Sequence, residues 1–245
     1  MAILVTICAR GGSKGLPKKN ILPLNGMPLI HYSIKIAQRL QKHYPDTVIE
    51  LSTDSQEIQA VAQEAGLKTT YTRPNPLAYD TSGKIAVIED LLRFSEKQYQ
   101  TTFDFIIDLD VSAPLRTVED VHEAFEMLQA HNEALNIFSV SEARKNPYFN
   151  MVEPSGKGDF VQLVKQKEEV LGRQAAPAVY EMNASFYIYK RSFFTQGCTS
   201  AVTSQSLAYV MEHTCFDIDS REDFNQMEYM LQAGIIPIDF GQLKL

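Results

Sequence analysis

The sequence predicts an α/β fold, a doubly wound and mainly parallel sheet, and three observations carry that prediction. Apolar runs of strand length alternate with stretches of helical periodicity as far as Ala134. A glycine-rich turn follows the first apolar run directly, as it does where a parallel strand hands over to a helix. The chain has 245 residues, 44% hydrophobic and 22% charged, which is enough to bury one large core.

Residues 2–7, AILVTI, form a short uncharged run, the pattern of a strand buried on both faces. From Pro28 onward Ile30, Ile34, Ala37 and Leu40 recur at helical spacing, with Lys35, Arg39 and Lys42 between them. TVIELS, at residues 47–52, predicts the second strand; Asp54 or Ser55 is the N-cap of a helix that stops at Gly66. Residues 84–97, with Ile85, Ile88, Glu89 and Leu92, give a third helix. FDFIIDL, at 103–109, reads as a strand, and Thr117 opens a helix whose third position is Asp120, close to a capping box.

Beyond Ala134 the pattern loosens. Strands are predicted over 136–141, 149–153, 159–164 and 185–189, separated by polar turns with Pro and Gly; this part reads as a smaller β-rich lobe or a dimerisation arm. Ser220 then caps a helix with Phe224, Met227 and Leu231 on one face, Gly234 at its stop, and a final apolar strand from Ile235.

Net charge is -7 and the sequence pI is about 5.3, so overall electrostatics give no general nucleic-acid or membrane-surface role. Cys8, Cys198 and Cys215 lie far apart without CxxC spacing or a paired His, which supports neither a disulfide framework nor a structural zinc site. No cationic leader precedes the first apolar run and no apolar stretch approaches membrane-spanning length; a cytoplasmic protein is expected.

Against that acidic background, no Asp or Glu occurs before Asp46, while CARGGSKGLPKKN, at residues 8–20, gathers Arg10, Lys14, Lys18 and Lys19 around Gly11, Gly12 and Gly15. Neither Gly11 nor Gly12 has the continuation of a P-loop, and Ser13 stands where a dinucleotide fingerprint needs its second glycine. What remains is a strand-end loop whose bare amides approach an anion and whose cations match the charge of a triphosphate. The alternative is a solvated basic turn. Because Lys18 and Lys19 are neighbours, one of them is expected to face water.

A polyphosphate arrives with Mg²⁺, which takes a few carboxylates plus phosphate oxygens and water. DLDVSAPLR places Asp108 and Asp110 at a strand end with alternate spacing, so both point to one side; FDIDSREDF repeats the spacing with Asp217 and Asp219. At least one member of each pair is expected to be a bystander, with Asp110 and Asp219 the better ligands. His31, His43, His122, His131 and His213 form no metal motif, and no nucleophile motif supports a covalent mechanism.

ICARGGSKGLPKKN closely resembles the opening signature of the cytidylyltransferases that make CMP-activated nonulosonic acids, of which the CMP-sialic acid synthetases are best known. STDS, RPNPLAYDTS, SAPLRTVEDV, RQAAPAVYEMN and FDIDSREDF resemble later blocks of that family in the same order, leaving only 190–206 without a counterpart. The resemblance implies an α/β nucleotidyltransferase fold and a homodimer in which 142–190 is a dimerisation or acceptor-binding insertion. It also implies Mg²⁺-dependent transfer of CMP from CTP to the anomeric hydroxyl of a nine-carbon 2-keto acid sugar, with release of pyrophosphate. Neither nucleic acid nor membrane is an implied partner.

By the same resemblance Arg10, Gly11, Ser13, Lys14, Lys19 and Asn20 hold the triphosphate, with Lys19 at the α-phosphate, and Arg73 lies near the cytidine. Asp217 and Asp219 match the metal pair, joined by Asp110; Arg10, Lys14, Lys19 and Asp219 are the implied catalytic set. Asp110, Arg173, Gln174 and Asn183 fall where the acceptor sugar binds. Two departures stand out. Sialic acid enzymes tend to carry Gln-Pro-Thr-Ser-Pro-Leu-Arg where this chain has Asp110 at the head of DVSAPLR, and Phe149 stands where some members have a lysine. Together they resemble the branch acting on legionaminic acid. The Gly-Gly-Ser-Lys-Gly pattern sets the chain apart from the KDO cytidylyltransferases. A non-catalytic nucleotide sensor and an NAD-binding dehydrogenase are the rival readings, the second disfavoured by the failed fingerprint.

Overall fold

The first strand, β1 (Ile3–Cys8), is buried from Ile3 to Ile7 in a computed structural model that describes residues 1–13, 15–79, 82–165 and 172–236. A small hairpin, β2 (Pro23–Leu24) and β3 (Met27–Pro28), leads into α1 (Leu29–His43). Next come β4 (Thr47–Ser52), α2 (Gln56–Glu64), α3 (Lys84–Tyr99), β5 (Phe105–Leu109) and α4 (Val118–Ala130). The second half holds β6 (Asn136–Glu142), β7 (Val152–Pro154), β8 (Val161–Leu163), β9 (Tyr180–Lys190), α5 (Arg191–Thr195), β10 (Ser206–Val210) and α6 (Arg221–Gln232).

The predicted α/β architecture is the observed one. Six strands form one sheet in the order β10-β6-β9-β5-β1-β4. β1 pairs in parallel with β4 and β5, β10 pairs in parallel with β6, and β9 runs antiparallel to both of its neighbours. Alternation along β1 builds two cores: Ile3, Val5 and Ile7 pack with α1, α2, α4 and α6 on one face, while Leu4 packs with α3 and α5 on the other.

The local signals place the helix ends. Ser55, not Asp54, caps α2 by accepting from the Ile58 amide, and Gly66 ends that turn at φ +85°, a conformation that favours glycine. Thr117 and Asp120 form a full capping box on α4, and Ser220 with Asp223 forms another on α6.

The predicted strands beyond Ala134 need correction. Residues 149–151 are not strand: their amides all turn back onto the Asn146 carbonyl, and β7 starts only at Val152. β8 is shorter than predicted because the Phe160 amide closes a turn on Lys157 around Gly158. The strand predicted over 185–189 begins five residues earlier, at Tyr180, and continues through a left-handed Ala184 at φ +59° and an irregularity in its pairing with β6. Residues 190–206, without a counterpart in the family blocks, contain α5 and lead into β10, which fills the sheet edge. The final strand predicted from Ile235 falls mostly outside the described residues.

Candidate active site

The loop after β1 owes its shape to three local contacts. The Ala9 amide donates to the Ser52 carbonyl at 2.9 Å, continuing the ladder past both strand ends. The Gly11 amide donates to Asp54 Oδ1 at 2.8 Å, and buried Asn20 closes the loop from below by donating to the Arg10 carbonyl at 2.9 Å. Lys18 sits in the left-handed region at φ 57°, and this turn separates the two neighbouring lysines. Lys18 faces outward and pairs with Glu57 at 2.7 Å, whereas the Lys19 side chain is only 14% exposed and reaches the Ile218 carbonyl and Asp219 Oδ1, the latter at 3.1 Å.

Beyond the carboxyl ends of β1 and β5 this loop borders a cleft of about 250 Å³, where ligands of open α/β sheets sit. Arg10, Ser13, Lys19 and Asn20 line it from the loop, Arg73, Tyr79 and Ser82 from the connection that precedes α3, and Lys84, Asp110 and Ser112 from its floor. Arg73 is 5% exposed, its guanidinium fixed by donation to Ser52 Oγ at 2.9 Å and the Ser52 carbonyl at 2.8 Å. Gly15 is where the loop meets the far side: a Cβ there would lie 2.2 Å from the Asp219 carbonyl oxygen. Only glycine permits that approach.

The strand-end carboxylates do share one side, and one cation holds both. Lys84 Nζ lies 2.8 Å from Asp108 Oδ2 and 2.8 Å from Asp110 Oδ2. Asp108 is fully buried and accepts from Thr6 Oγ1 at 2.7 Å, so it is the bystander of its pair. Asp110 Oδ1 accepts from the Ser112 amide at 2.7 Å and hydroxyl at 2.6 Å. Burial alone would push the Asp110 carboxyl up, but Lys84 and Ser112 outweigh it and hold it near 2. Asp217 behaves oppositely: burial and then the neighbouring Asp219, with a smaller contribution from Asp110, raise its pKa above the ordinary carboxylate value.

Among the described residues no three His, Cys, Asp or Glu side chains converge as a ready metal cluster. The mutual repulsion of Asp217 and Asp219 is the donor chemistry that a divalent cation relieves, so this pair fits one; Asp110 is within electrostatic reach, with its oxygens on Lys84 and Ser112.

Of the acceptor residues implied by resemblance, Asp110 lines the cleft, whereas Asn183 and Gln174 do not. Asn183 is 4% exposed and does not line the cleft; its amide is spent on Ser139, Ser141 and the Ser185 amide. Gln174 is exposed on a short turn and also lies off the cleft lining. Lys14 and the side chain of Arg173 lie outside the described residues. Conversely, sequence reasoning missed Lys84, Ser82, Tyr79 and Ser112. Lys84 had one signal: a lysine at the first position of a helix opposes the helix dipole, so something else must hold it there.

Similarity to known proteins follows the same outline. The family described as Cytidylyltransferase matches residues 4–236. The chain is 42% identical to the post-translational flagellin modification protein B of Campylobacter coli over 94% of its own length and 95% of that protein's. It is also 42% identical to the CMP-N,N'-diacetyllegionaminic acid synthase of Campylobacter jejuni, over 97% of this chain and 99% of the relative. Among solved structures, a CMP:2-keto-3-deoxy-manno-octonic acid synthetase complexed with CTP superposes with a TM-score of 0.64, covering 96% of this chain and 100% of that one. At 14% identity that last likeness is one of fold.

Proposed function

This chain belongs to the cytidylyltransferase family, and we propose that it transfers CMP from CTP to the anomeric hydroxyl of a nonulosonic acid of the legionaminic type, releasing pyrophosphate. The observation that carries the reading is the strand-end cleft, where Arg10, Lys19 and Arg73 surround a space bordered by the glycine loop. The sugar assignment leans on the relative named for N,N'-diacetyllegionaminic acid and on Asp110 in place of glutamine.

The reaction is an in-line displacement at the α-phosphorus: the anomeric oxygen forms the new O–P bond as the bond to pyrophosphate breaks. Rate comes from alignment and from neutralising charge on the leaving group. Arg10, Gly11 and Ser13 hold the triphosphate with Lys14 and Asn20, Lys19 faces the α-phosphate, and Arg73 orients the nucleoside. Asp110, Arg173, Gln174 and Asn183 are assigned to the acceptor, which requires the Asn183 amide to exchange its present partners or act through them. Mg²⁺, held by Asp217, Asp219 and Asp110, would supply charge neutralisation and activation of the hydroxyl.

Within 142–190, the part outside the main sheet, which carries the β7-β8 hairpin, is assigned to dimerisation. Phe149, Met151, Val152, Phe160, Val161 and Val164 expose apolar side chains along it, more than a monomer keeps without use. Sedimentation analysis should give twice the chain mass; a monomer removes this assignment. No described helix is long and apolar enough to cross a membrane, and a cytoplasmic site for the CTP-dependent reaction is part of the reading.

Pyrophosphate release tests the whole. CTP, Mg²⁺ and N,N'-diacetyllegionaminic acid should give turnover, and ATP, GTP and UTP little. Faster release with N-acetylneuraminic or pseudaminic acid rejects the sugar assignment. CTP binding without release on any nonulosonic acid leaves a nucleotide sensor.

A further inference from the structure

Among the described residues four cations line the cleft, and they are not equivalent. Arg10, Lys19 and Arg73 surround the open space, but Lys84 already faces two carboxylates at 2.8 Å each, and the ring of Tyr187 lies 4.5 Å from its Nζ. One ammonium against two carboxylates leaves a net negative group, which has no attraction to offer a triphosphate. A phosphate-binding role for Lys84 therefore fails on charge.

Its geometry suits another task. Asp110 is held at every polar atom. Oδ2 faces Lys84, Oδ1 takes the Ser112 amide and hydroxyl, the carbonyl accepts from Arg116 Nη2 at 2.7 Å and Ser33 Oγ at 3.0 Å, and the amide donates to the Ser185 carbonyl at 3.1 Å. Arg116 and Ser185 fix the backbone; Lys84, from α3, and Ser112 together fix the carboxylate against rotation about the side chain, one at each oxygen. The same ammonium ties Asp110 to Asp108, which is immobile because it is fully buried and bonded to Thr6. Lys84 thus braces a cleft-lining carboxylate against a fully buried one.

We propose that Lys84 is a positioning residue for the reaction, holding Asp110 in its working orientation by bracing it against Asp108. The proposal rests on reading the cleft as the CTP and acceptor site. A competing explanation is purely structural: Lys84 only compensates the buried charge of Asp108.

The two are separable because Lys84→Met combined with Asp108→Asn removes the buried pair while leaving the net charge of the group unchanged, as only Asp110 stays ionised. Replacing both members of a buried ion pair is often neutral for stability, whereas removing one is not. Lys84→Met alone should therefore lower the melting temperature, and the double variant should recover it.

For the double variant, KM for CTP should stay within about threefold of wild type, because the loop cations are intact, while kcat falls about 10- to 100-fold, as expected for a misplaced reacting group. Asp108→Asn alone keeps the Lys84–Asp110 contact and leaves an amide oxygen at position 108 for Lys84 to bear on, so it should retain most of kcat. A double variant with wild-type kcat overturns the proposal, as does one that no longer folds, since the brace would then be a stability element. Equal kcat losses in Asp108→Asn and the double variant overturn it too. The wild-type assay stands apart: if it releases no pyrophosphate with any nonulosonic acid, the reading of the cleft fails, whereas wild-type turnover with an unimpaired double variant removes only Lys84.

Discussion

Asp108–Asp110 and Asp217–Asp219 share one spacing and meet opposite fates. The first pair ends a central strand, where Lys84 bridges the two carboxylates and Thr6 and Ser112 supply further donors. The second pair lies in the irregular segment before α6, where Lys19 reaches Asp219, whose side chain is 74% exposed, and Asp217 keeps a raised pKa through burial and its neighbour's charge. A closed, cation-bridged pair resists change. An open, self-repelling pair is poised to accept positive charge. The difference teaches that alternate spacing decides only which way two acids point, while the cation brought by another element decides what they can do.

The largest expected effect comes from emptying the open pair and its lysine. Asp219→Asn and Lys19→Ala should each lower turnover by about two to three orders of magnitude, with little change in melting temperature because neither side chain belongs to the core. Near-wild-type turnover in either variant takes that residue out of the mechanism and erases the contrast with Asp110.

A smaller effect should follow from prising the loop off the open pair. Gly15→Ala must displace the Asp219 carbonyl, a clash worth about 1–3 kcal/mol, whereas Gly12→Ala meets no atom within 4 Å. Thermal melting without nucleotide should separate the two by several degrees. Identical melts would mean the loop and the Asp219 segment are not in contact.

The smallest effect sharpens the electrostatics. Because the folded pKa of Asp217 is raised, its contribution favours the fold at acid pH and is lost as pH rises through the folded value; at neutral pH the ionised group costs stability. In metal-free buffer Asp217→Asn should melt slightly above wild type at neutral pH, with the gap closing as both states protonate in acid. For Asp110, lowered to about 2, the sign reverses: its contribution is present above the unfolded value and lost as pH falls through about 2. A lower melt for Asp217→Asn at neutral pH contradicts the self-repelling pair.

Much of this was legible in residue order. Ser55, Thr117 and Ser220 cap helices because a side-chain oxygen three residues from an orphan amide needs nothing distant to work. The loop cations were legible for a related reason, since glycines and charges within thirteen positions must share one turn. Asp110 was recognisable as a site residue from its place at a strand end. Its partner was not: Lys84 lies 26 residues earlier on another helix, and only the packing of α3 on the sheet brings them together. The acceptor residues read by resemblance were least secure, because the partners of Asn183 come from β6 and from its own strand rather than from the cleft.

By itself, the sequence determined what is local: strand and helix identity from periodicity, helix ends from caps, and a strand-end turn rich in glycine and cations. Tertiary structure alone decided that β9 would enter antiparallel between β5 and β6, that Gly15 would press on Asp219, and that Lys84 would join Asp108 to Asp110. Local choices follow from steric and hydrogen-bonding rules within a few residues; long-range ones depend on which packing of whole elements buries the most apolar surface, and a single string of letters does not display that sum.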